Sequence, residues 1–232
     1  MTKRIKVSAT AHKYGGEFLV AGAIVLVAVL LVVKFKPDPI TLFDFAVIIA
    51  ALFSMLIGYF KLSEPRYNLV LSKNGLVFYH RYGKVRIARK NILAVGQVQI
   101  ANGDQFLELP CLGLKLKSLA PLIKRMPPRL AFKLIMEQRN WLMAGIKIMW
   151  PTGNVPDDWL IEESKYQDKF NTYGLLAMLT HRLEHFDTLF GYHFLISYNY
   201  FDRSVDEFEN LLQHWLRDPE KTIEKYSNIN QK

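Results

Sequence analysis

The stretch "VVKFKPDPITLFDF" at residues 32–45 lies between two long apolar runs and decides how this chain is organised. Two lysines, two prolines and Asp38 interrupt what would otherwise be one continuous apolar segment. It is either the turn between two membrane-spanning helices or a loop between two buried helices of a soluble core. Pro39 is placed as prolines often are in the first turn of a helix. The pattern favours a tight turn that ends one helix and begins the next.

The apolar runs on either side are each long enough to be candidate membrane spans. We predict spans at residues 18–35 and 40–60, which together form a transmembrane hairpin over 18–60. Asp44 lies near the start of the second span, where a carboxylate can still reach the membrane interface. Buried helices of a small soluble domain usually keep one polar face, and neither run has one. A cleaved signal peptide is disfavoured because "KFKPDP" offers no small-residue cleavage site.

The distribution of lysine and arginine predicts the orientation of this hairpin. Residues 1–17 form a basic tail, and further basic residues follow the second span, whereas the turn carries only two lysines. Cytoplasmic loops are enriched in lysine and arginine, so both termini are expected in the cytoplasm and the turn outside. The predicted location is the bacterial inner (plasma) membrane, with a multi-pass topology.

Charge is uneven along the rest of the chain. The formal net charge is +9, with a balance of +12 over residues 61–147 and −6 over residues 148–232. The basic half could face anionic lipid, or it could contact the acidic half. Cys111 is the single cysteine, which rules out an internal disulfide and a C-x-x-C site. Its apolar surroundings predict a small core residue and not a nucleophile.

The region 65–217 is predicted to be a cytoplasmic α+β domain that begins with short strands. Residues 67–72 and 76–80 indicate a hairpin, with Asn74-Gly75 as its turn dipeptide. "KVRIAR" at 84–89 alternates, so Lys84 and Arg86 share one basic face of a strand. A further strand is predicted at 91–100, and Asn102-Gly103 marks another turn before one or two more strands.

Helical patterns then dominate residues 118–186. Pro127-Pro128 suits the start of a helix on which Arg129 and Lys133 share one face. This is either a basic amphipathic helix on anionic headgroups or a helix packed on the sheet with a solvated basic face. A strand is expected at 189–199. Ser204 and Glu207 then form a capping box for a closing helix, followed by a polar tail at 218–232.

Residues 67–100 and 189–216 carry a resemblance to a known family. The segments "YNLVLSKNGLVFYHRYGKVRIARKNILAVGQV" and "HFLISYNYFDRSVDEFENLLQHWL" resemble the opening strands and the last strand and closing helix of bacterial pleckstrin-homology-like (PH-like) domains. The resemblance implies a PH-like antiparallel sheet, in which 118–186 would be a helical insertion or else part of a different α+β fold. The whole chain also resembles uncharacterised two-span inner-membrane proteins of gammaproteobacteria, which implies no activity.

Residues that could carry chemistry are few. His181 and His185 are four residues apart on a predicted helix, a spacing at which two imidazoles can reach one metal ion. The neighbour of His181 is Arg182, where zinc hydrolases of the H-E-x-x-H type have glutamate. No Gly-rich phosphate loop and no G-x-S-x-G sequence occurs in the chain. We therefore predict no cofactor and no catalytic residue, with these histidines as weak metal candidates.

Two classes of function follow from these observations. The first is a membrane-anchored, non-enzymatic interaction or scaffold module that binds a protein partner and also anionic lipid, through Lys84, Arg86, Arg129 and Lys133. The alternative is a membrane-associated enzyme with a metal site within residues 157–187. Nucleic acid is not expected, because the aromatic residues do not form a stacking platform. The sequence leaves the partner and the oligomeric state open.

Overall fold

The computed structural model describes residues 4–8, 14–35, 39–102, 105–161, 163–167 and 170–229. The described residues form two compact units. One unit, the helical hairpin, covers residues 14–66. The other, the α+β unit, combines residues 4–8 with residues 67–229. The hairpin is thus an insertion near the start of the α+β unit, whereas the sequence predicts a domain that begins at residue 65.

Two helices form the hairpin unit, α1 (Gly15–Phe35) and α2 (Leu42–Ser63). Both are long and apolar enough to span a membrane. In α1 only Gly15 and Gly22 are buried among the described residues, and most of the large apolar side chains are exposed. The alternative of two buried helices in a soluble core is therefore wrong, because α1 and α2 are mostly exposed. The predicted turn lies largely outside the described residues, since residues 36–38 are not among them.

Polar contacts and small residues explain how the hairpin is built. Thr41 caps α2, because its side chain accepts from the Asp44 N–H while Asp44 Oδ2 accepts from the Thr41 N–H at 2.7 Å. Thr41 and Asp44 thus each satisfy a backbone N–H of the other, as the two residues of a capping box do. Gly22 packs on Ala51, and Gly58 packs on the backbone of Gly15. The two helices can approach closely where these glycines lie.

The first sheet of the α+β unit has the strand order β1–β2–β3–β4, and all its pairs are antiparallel. We call it sheet A. Its strands are β1 (Ile5–Val7), β2 (Leu69–Ser72), β3 (Gly75–His80) and β4 (Gly83–Ala88). The predicted β2–β3 hairpin is present, but its turn is Lys73-Asn74, because Gly75 pairs with Ser72. The alternation of β4 is confirmed: Val85 and Ile87 are buried, whereas Lys84 and Arg86 are exposed.

Strand β1 corrects the prediction of a basic tail over residues 1–17. Ile5 and Val7 are fully buried, Lys6 is exposed, and all three residues pair with β2. Two apolar side chains on the inner face of a sheet are enough to hold this short strand in place. The sequence signal for this strand is short, since only the four residues from Arg4 to Val7 alternate between basic and apolar.

Sheet B contains the strands β5 (Ile92–Asn102), β6 (Gln105–Leu116) and β9 (Phe194–Ser197), in the order β5–β6–β9. The strand predicted at 91–100 is confirmed, whereas Gly103 of the predicted turn lies outside the described residues. Gly96 and Gly113 face each other across β5 and β6. Tyr192 covers both glycines, so that a Cβ on either would overlap with its ring or hydroxyl. This aromatic side chain fills the space that two glycines leave on the sheet.

Helices connect β6 to β9 and close the unit. They are α3 (Ala120–Ile123), α4 (Pro128–Glu137), α5 (Arg139–Met149), α6 (Asp157–Leu160) and α7 (Leu175–Phe190), with a small sheet of β7 (Lys165–Tyr166) and β8 (Thr172–Tyr173). Helices α8 (Val205–Arg217) and α9 (Pro219–Ile229) follow β9. Helix α4 begins at the predicted Pro127-Pro128 pair.

Two predicted boundaries are wrong. Helix α7 continues to Phe190 and ends there because Gly191 adopts φ +75°, in the left-handed region. Strand β9 therefore begins only at Phe194, later than predicted. Residues 219–229 form helix α9 and not a polar tail. Asp218 starts this helix by accepting a hydrogen bond from the Lys221 N–H at 3.1 Å, and Ile223 is buried.

Helix α8 links the two sheets. Ser204 Oγ accepts from the Glu207 N–H at 3.3 Å, which is one of the two hydrogen bonds of the predicted capping box. Trp215 Nε1 donates to the Ser72 carbonyl of sheet A at 3.0 Å, and Glu209 accepts from the Gln97 N–H of sheet B at 3.0 Å. The inner faces of both sheets share one hydrophobic core with α4, α7 and α8. Cys111 lies fully buried in a second cluster beside sheet B, as predicted for a core residue.

Candidate functional site

A basic groove lies on the outer face of sheet A. Lys6, Val70, Val77 and Arg86 are neighbours across the four strands, so they share the face opposite the core. Two adjoining hollows of about 680 and 290 Å³ lie on this face and have Val77, Tyr79 and Arg86 in common. We call them together the outer-face groove. It is lined by Arg4, Val70, Ser72, Lys73, Asn74, Gly75, Val77, Tyr79, Lys84, Arg86, Ala88, Arg89, Lys90 and Arg125.

The lining of this groove contains cations but no carboxylate. Lys73 forms an ion pair with Glu220, and Arg89 donates to the Leu216 carbonyl at 2.9 Å. The other five cations have no carboxylate within ion-pair distance in the described part of the chain; these are Arg4, Lys84, Arg86, Lys90 and Arg125. Because these charges are not balanced by carboxylates, the groove is a region of positive potential.

A second surface, which we call the α4 patch, is mainly apolar. It is a hollow of about 700 Å³ lined by Tyr82, Pro128, Arg129, Phe132, Lys133, Met136 and Leu175. Phe132 and Met136 are four residues apart on α4, and each is 52% exposed. Arg129 and Lys133 flank them on the same helix. The other face of α4 carries the buried Leu130 and Leu134, so the helix packs on the core of the α+β unit.

The α4 patch lies at one particular end of sheet A. Val7, Leu69, Phe78 and Val85 form a row across the four strands, close to the β3–β4 turn at residues 81–82. The chain leaves β1 after Val7 and returns to β2 before Leu69, so both connections to the hairpin unit start from this end. Tyr82 of the patch belongs to the same turn.

A polar cluster around the buried side chain of His80 ties this end of the sheet to α4. The His80 side chain is only 5% exposed, and its Nε2 lies 3.8 Å from Glu137 Oε1. Tyr200 donates to Glu137 Oε2 at 3.1 Å, and Lys133 Nζ lies 3.3 Å from Oε1. Burial opposes ionisation of Glu137, but the contacts with His80, Lys133 and Tyr200 outweigh it and lower the pKa of this carboxyl. Glu137 therefore neutralises part of the charge that Lys133 brings to the patch.

The two histidines considered as metal ligands have other contacts. His181 Nε2 lies 3.1 Å from the Lys165 carbonyl, and its ring meets that of Tyr166 edge-on. His185 stacks on Trp159 with 4.1 Å between ring centroids. Over the ranges that the structure describes, no group of three or more His, Cys, Asp or Glu side chains could hold a metal ion.

The four basic residues predicted to face lipid fall on two surfaces. Lys84 and Arg86 line the outer-face groove, whereas Arg129 and Lys133 belong to the α4 patch. Sequence reasoning missed Arg4 and the role of Tyr82. The alternation of Arg4, Ile5, Lys6 and Val7 was the available signal for Arg4, because it is typical of a half-buried strand.

Comparison with known proteins gives one match. A family model described as "Protein of unknown function (DUF2982)" matches residues 69–218. The match starts with β2 and ends just after α8, so it covers most of the α+β unit and stops short of β1 and the hairpin. Neither a curated protein nor a solved structure matches the chain.

Proposed function

The chain belongs to the DUF2982 family, whose function is unknown, and from its geometry we propose that it is a membrane-anchored, non-enzymatic interaction module whose α4 patch rests on anionic lipid. In this proposal α1 and α2 span the bacterial inner membrane, with both termini in the cytoplasm. The observation that carries it is the exposed pair Phe132 and Met136, flanked by Arg129 and Lys133.

The chemistry of the α4 patch fits a lipid surface. Exposed apolar side chains beside lysine or arginine are typical of elements that lie in the membrane interface. The apolar side chains can enter the headgroup region, while the cations meet phosphate groups. Arg129 has no ion pair within the described residues, so its charge is available to a headgroup.

Chain connectivity supports placing this end of the sheet near the bilayer. Residues 64–68 join α2 to β2. Since an extended residue spans at most about 3.6 Å, the six steps from Ser63 to Leu69 keep the start of β2 within about 22 Å of the end of α2, whatever the arrangement of the units. The other connection leaves from the paired strand β1 at the same end.

The separation of charge within the α+β unit also favours this proposal. Helix α8, from the acidic half, packs on the inner side of sheet A through Trp215 and Leu216. The basic side chains Lys84 and Arg86 point to the opposite face. Contact between the acidic half of the chain and the inner side of sheet A therefore leaves Lys84 and Arg86 available to another anionic surface.

The PH-like resemblance is a further part of the proposal. Two antiparallel sheets bridged by the C-terminal part of the chain are consistent with it. The helices α3–α7 lie between the neighbouring strands β6 and β9, as an insertion would. Such a domain would present surfaces for binding without a catalytic site.

Fluorescence quenching in nanodiscs tests the lipid contact. A bimane label is attached to Phe132→Cys in the full chain and exposed to doxyl-labelled lipid. Cys111 does not interfere, because it is buried and burial raises the pKa of its thiol to about 12. Met149→Cys is the matched control, since Met149 is an exposed residue of α5 that does not line the patch.

We expect strong quenching at position 132 in nanodiscs that contain phosphatidylglycerol, weaker quenching in pure phosphatidylcholine, and little at position 149. Equal quenching at both positions, or none at 132, would contradict the lipid contact. Protection of the label at 132 in native membranes alone would assign the patch to a protein partner, which crosslinking and mass spectrometry would then identify.

A further inference from the structure

The outer-face groove is a different surface from the α4 patch, and its charge needs a separate explanation. Within the described residues, five cations without a carboxylate neighbour line its two adjoining hollows: Arg4, Lys84, Arg86, Lys90 and Arg125. They come from the residue before β1, from β4 and the turn after it, and from the segment before α4. Folding therefore brings together like charges that are distant in sequence, and their repulsion disfavours the compact state unless an anion binds.

The floor of the groove is suited to a small ligand. Val70, Gly75, Val77 and Ala88 are small residues of the sheet surface, and Tyr79 adds a phenol at the point where the two hollows meet. The larger hollow, of about 680 Å³, is within the usual range of small-molecule sites. In a groove of this form, the arginine and lysine side chains at the rim would bind the charged groups of a ligand, and the rest of the ligand would lie against the sheet.

Arginine is the main reason to expect phosphate. The guanidinium group offers parallel N–H donors that match the oxygens of phosphate. Four arginines line the groove, and three of them, Arg4, Arg86 and Arg125, have no carboxylate within ion-pair distance among the described residues. A ligand with several phosphates provides enough negative charge for five cations. Nucleic acid fits less well, because Tyr79 is the single aromatic residue in the lining and single strands need successive stacking platforms.

The acidic half of the chain does not occupy this groove. Trp215 and Leu216 of α8 contact the backbone of Ser72 and the side chain of Arg89, at the end of the sheet where the β2–β3 turn lies. From α9, Glu220 reaches Lys73 at the rim. Within the described ranges, the centre of the groove around Arg86 and Arg125 has no acidic partner from this chain.

We propose that the outer-face groove binds a small compound bearing several phosphate groups, which Arg4, Arg86 and Arg125 hold through their guanidinium groups and Lys84 and Lys90 through charge. The phosphates can belong to a free molecule or to the headgroup of a lipid, since the chemistry at the cations is the same. This site goes beyond the lipid contact of the α4 patch and does not depend on it.

Titration calorimetry of the full chain in phosphatidylcholine nanodiscs, with inorganic tripolyphosphate as the probe, tests this site. We expect saturable binding at low ionic strength that weakens with added salt. The double variant Arg86→Gln/Arg125→Gln should raise the Kd by at least about tenfold, because it removes two charge-assisted contacts. The control Arg139→Gln/Lys147→Gln removes the same charge from exposed positions on α5 and should change the Kd less than about threefold.

Absence of saturable binding, or an equal loss in both double variants, would overturn the proposal. Unchanged thermal midpoints in the two variants show that the fold is intact, which is expected because all four side chains are exposed. The same titration in nanodiscs with anionic lipid identifies the source of the phosphate. If headgroups fill the groove, the difference in Kd between wild type and the groove variant shrinks; if a free compound fills it, the difference remains.

Discussion

Val7 and Leu69 lie opposite each other in the β1–β2 pair, although the whole helical hairpin separates them in the chain. The hairpin is therefore an insertion within a pair of neighbouring strands, and not a leader attached to the domain. A fragment of residues 65–232 would lack β1, so the edge of β2 that pairs with β1 would be exposed. Experiments on this protein should accordingly use the full chain.

The first prediction concerns β1. Ile5→Ala in the full chain should lower the free energy of unfolding by about 2–4 kcal/mol, because the Ile5 side chain is fully buried on the core-facing side of sheet A. Lys6→Ala, one residue away on the exposed face, should cost less than about 1 kcal/mol through the loss of its contact with the Tyr67 ring. Chemical denaturation in detergent, followed by tryptophan fluorescence, measures both. Equal effects would mean that β1 is not part of the folded sheet in solution.

The second prediction concerns Tyr192 and the glycine it covers. Gly113→Ala should destabilise the α+β unit by about 1–3 kcal/mol, because the new methyl group overlaps with the Tyr192 ring. The same change should cost much less in a Tyr192→Ala background, where the ring is absent. A double-mutant cycle of unfolding free energies measures this coupling. Additive effects of the two substitutions would show that the contact is not made.

The third prediction separates Arg129 from other exposed cations. Arg129→Gln should reduce the lipid quenching of a label at position 132 and remove most of its dependence on salt, because it deletes the unpaired cation of the α4 patch. Arg139→Gln removes one charge from exposed α5 and should leave the quenching unchanged. A comparable loss in both variants would mean that net charge, and not the patch, controls the contact.

The fourth prediction concerns pH. The pKa of Glu137 is lower in the folded state than the usual 4.5 of its carboxyl. The contribution of this group to stability is therefore fully present above the unfolded pKa and is lost as the pH falls through the folded value. Glu137→Gln should be less stable than wild type near pH 7, and this difference should shrink as the pH drops below about 4. Thermal midpoints of both proteins across this range are the measurement; a difference independent of pH would contradict it.

The fifth prediction concerns metal. Elemental analysis of the purified full chain should give zinc well below one ion per molecule, and His181→Ala should leave that content unchanged. The reason is that His181 and His185 are engaged by the Lys165 carbonyl and by Trp159. Stoichiometric zinc that disappears in His181→Ala would support the alternative of a metal-dependent enzyme.

Local patterns predicted the elements that depend on neighbouring residues. The alternation of Lys84, Val85, Arg86 and Ile87 indicated a strand with one basic face, and the structure has it. The start of α8 was predicted in the same way, because the Ser204 hydroxyl accepts from the N–H of Glu207, three residues later. Such signals survive in the sequence because the interacting groups are close in the chain.

Strand β1 was not predicted, because it is held by a partner that lies beyond the hairpin. Strand β9 was predicted to start too early, because α7 runs on to Phe190 before Gly191 ends it. The candidate site shows the same division. Lys84 and Arg86 were found from their strand, whereas Arg4 and Arg125 join them only in the folded chain.

By itself, the sequence determined the two apolar helices, the α+β composition of the remainder and the excess of positive charge over residues 61–147, because these depend on composition and short-range periodicity. Only the tertiary structure decided which cations face each other. Pairing of β1 with β2 and packing of Pro127 against Gly83 bring residues from three parts of the chain onto one basic face. Burial of the apolar side of sheet A fixes that arrangement, since a strand must turn its polar side chains outward once its other face enters the core.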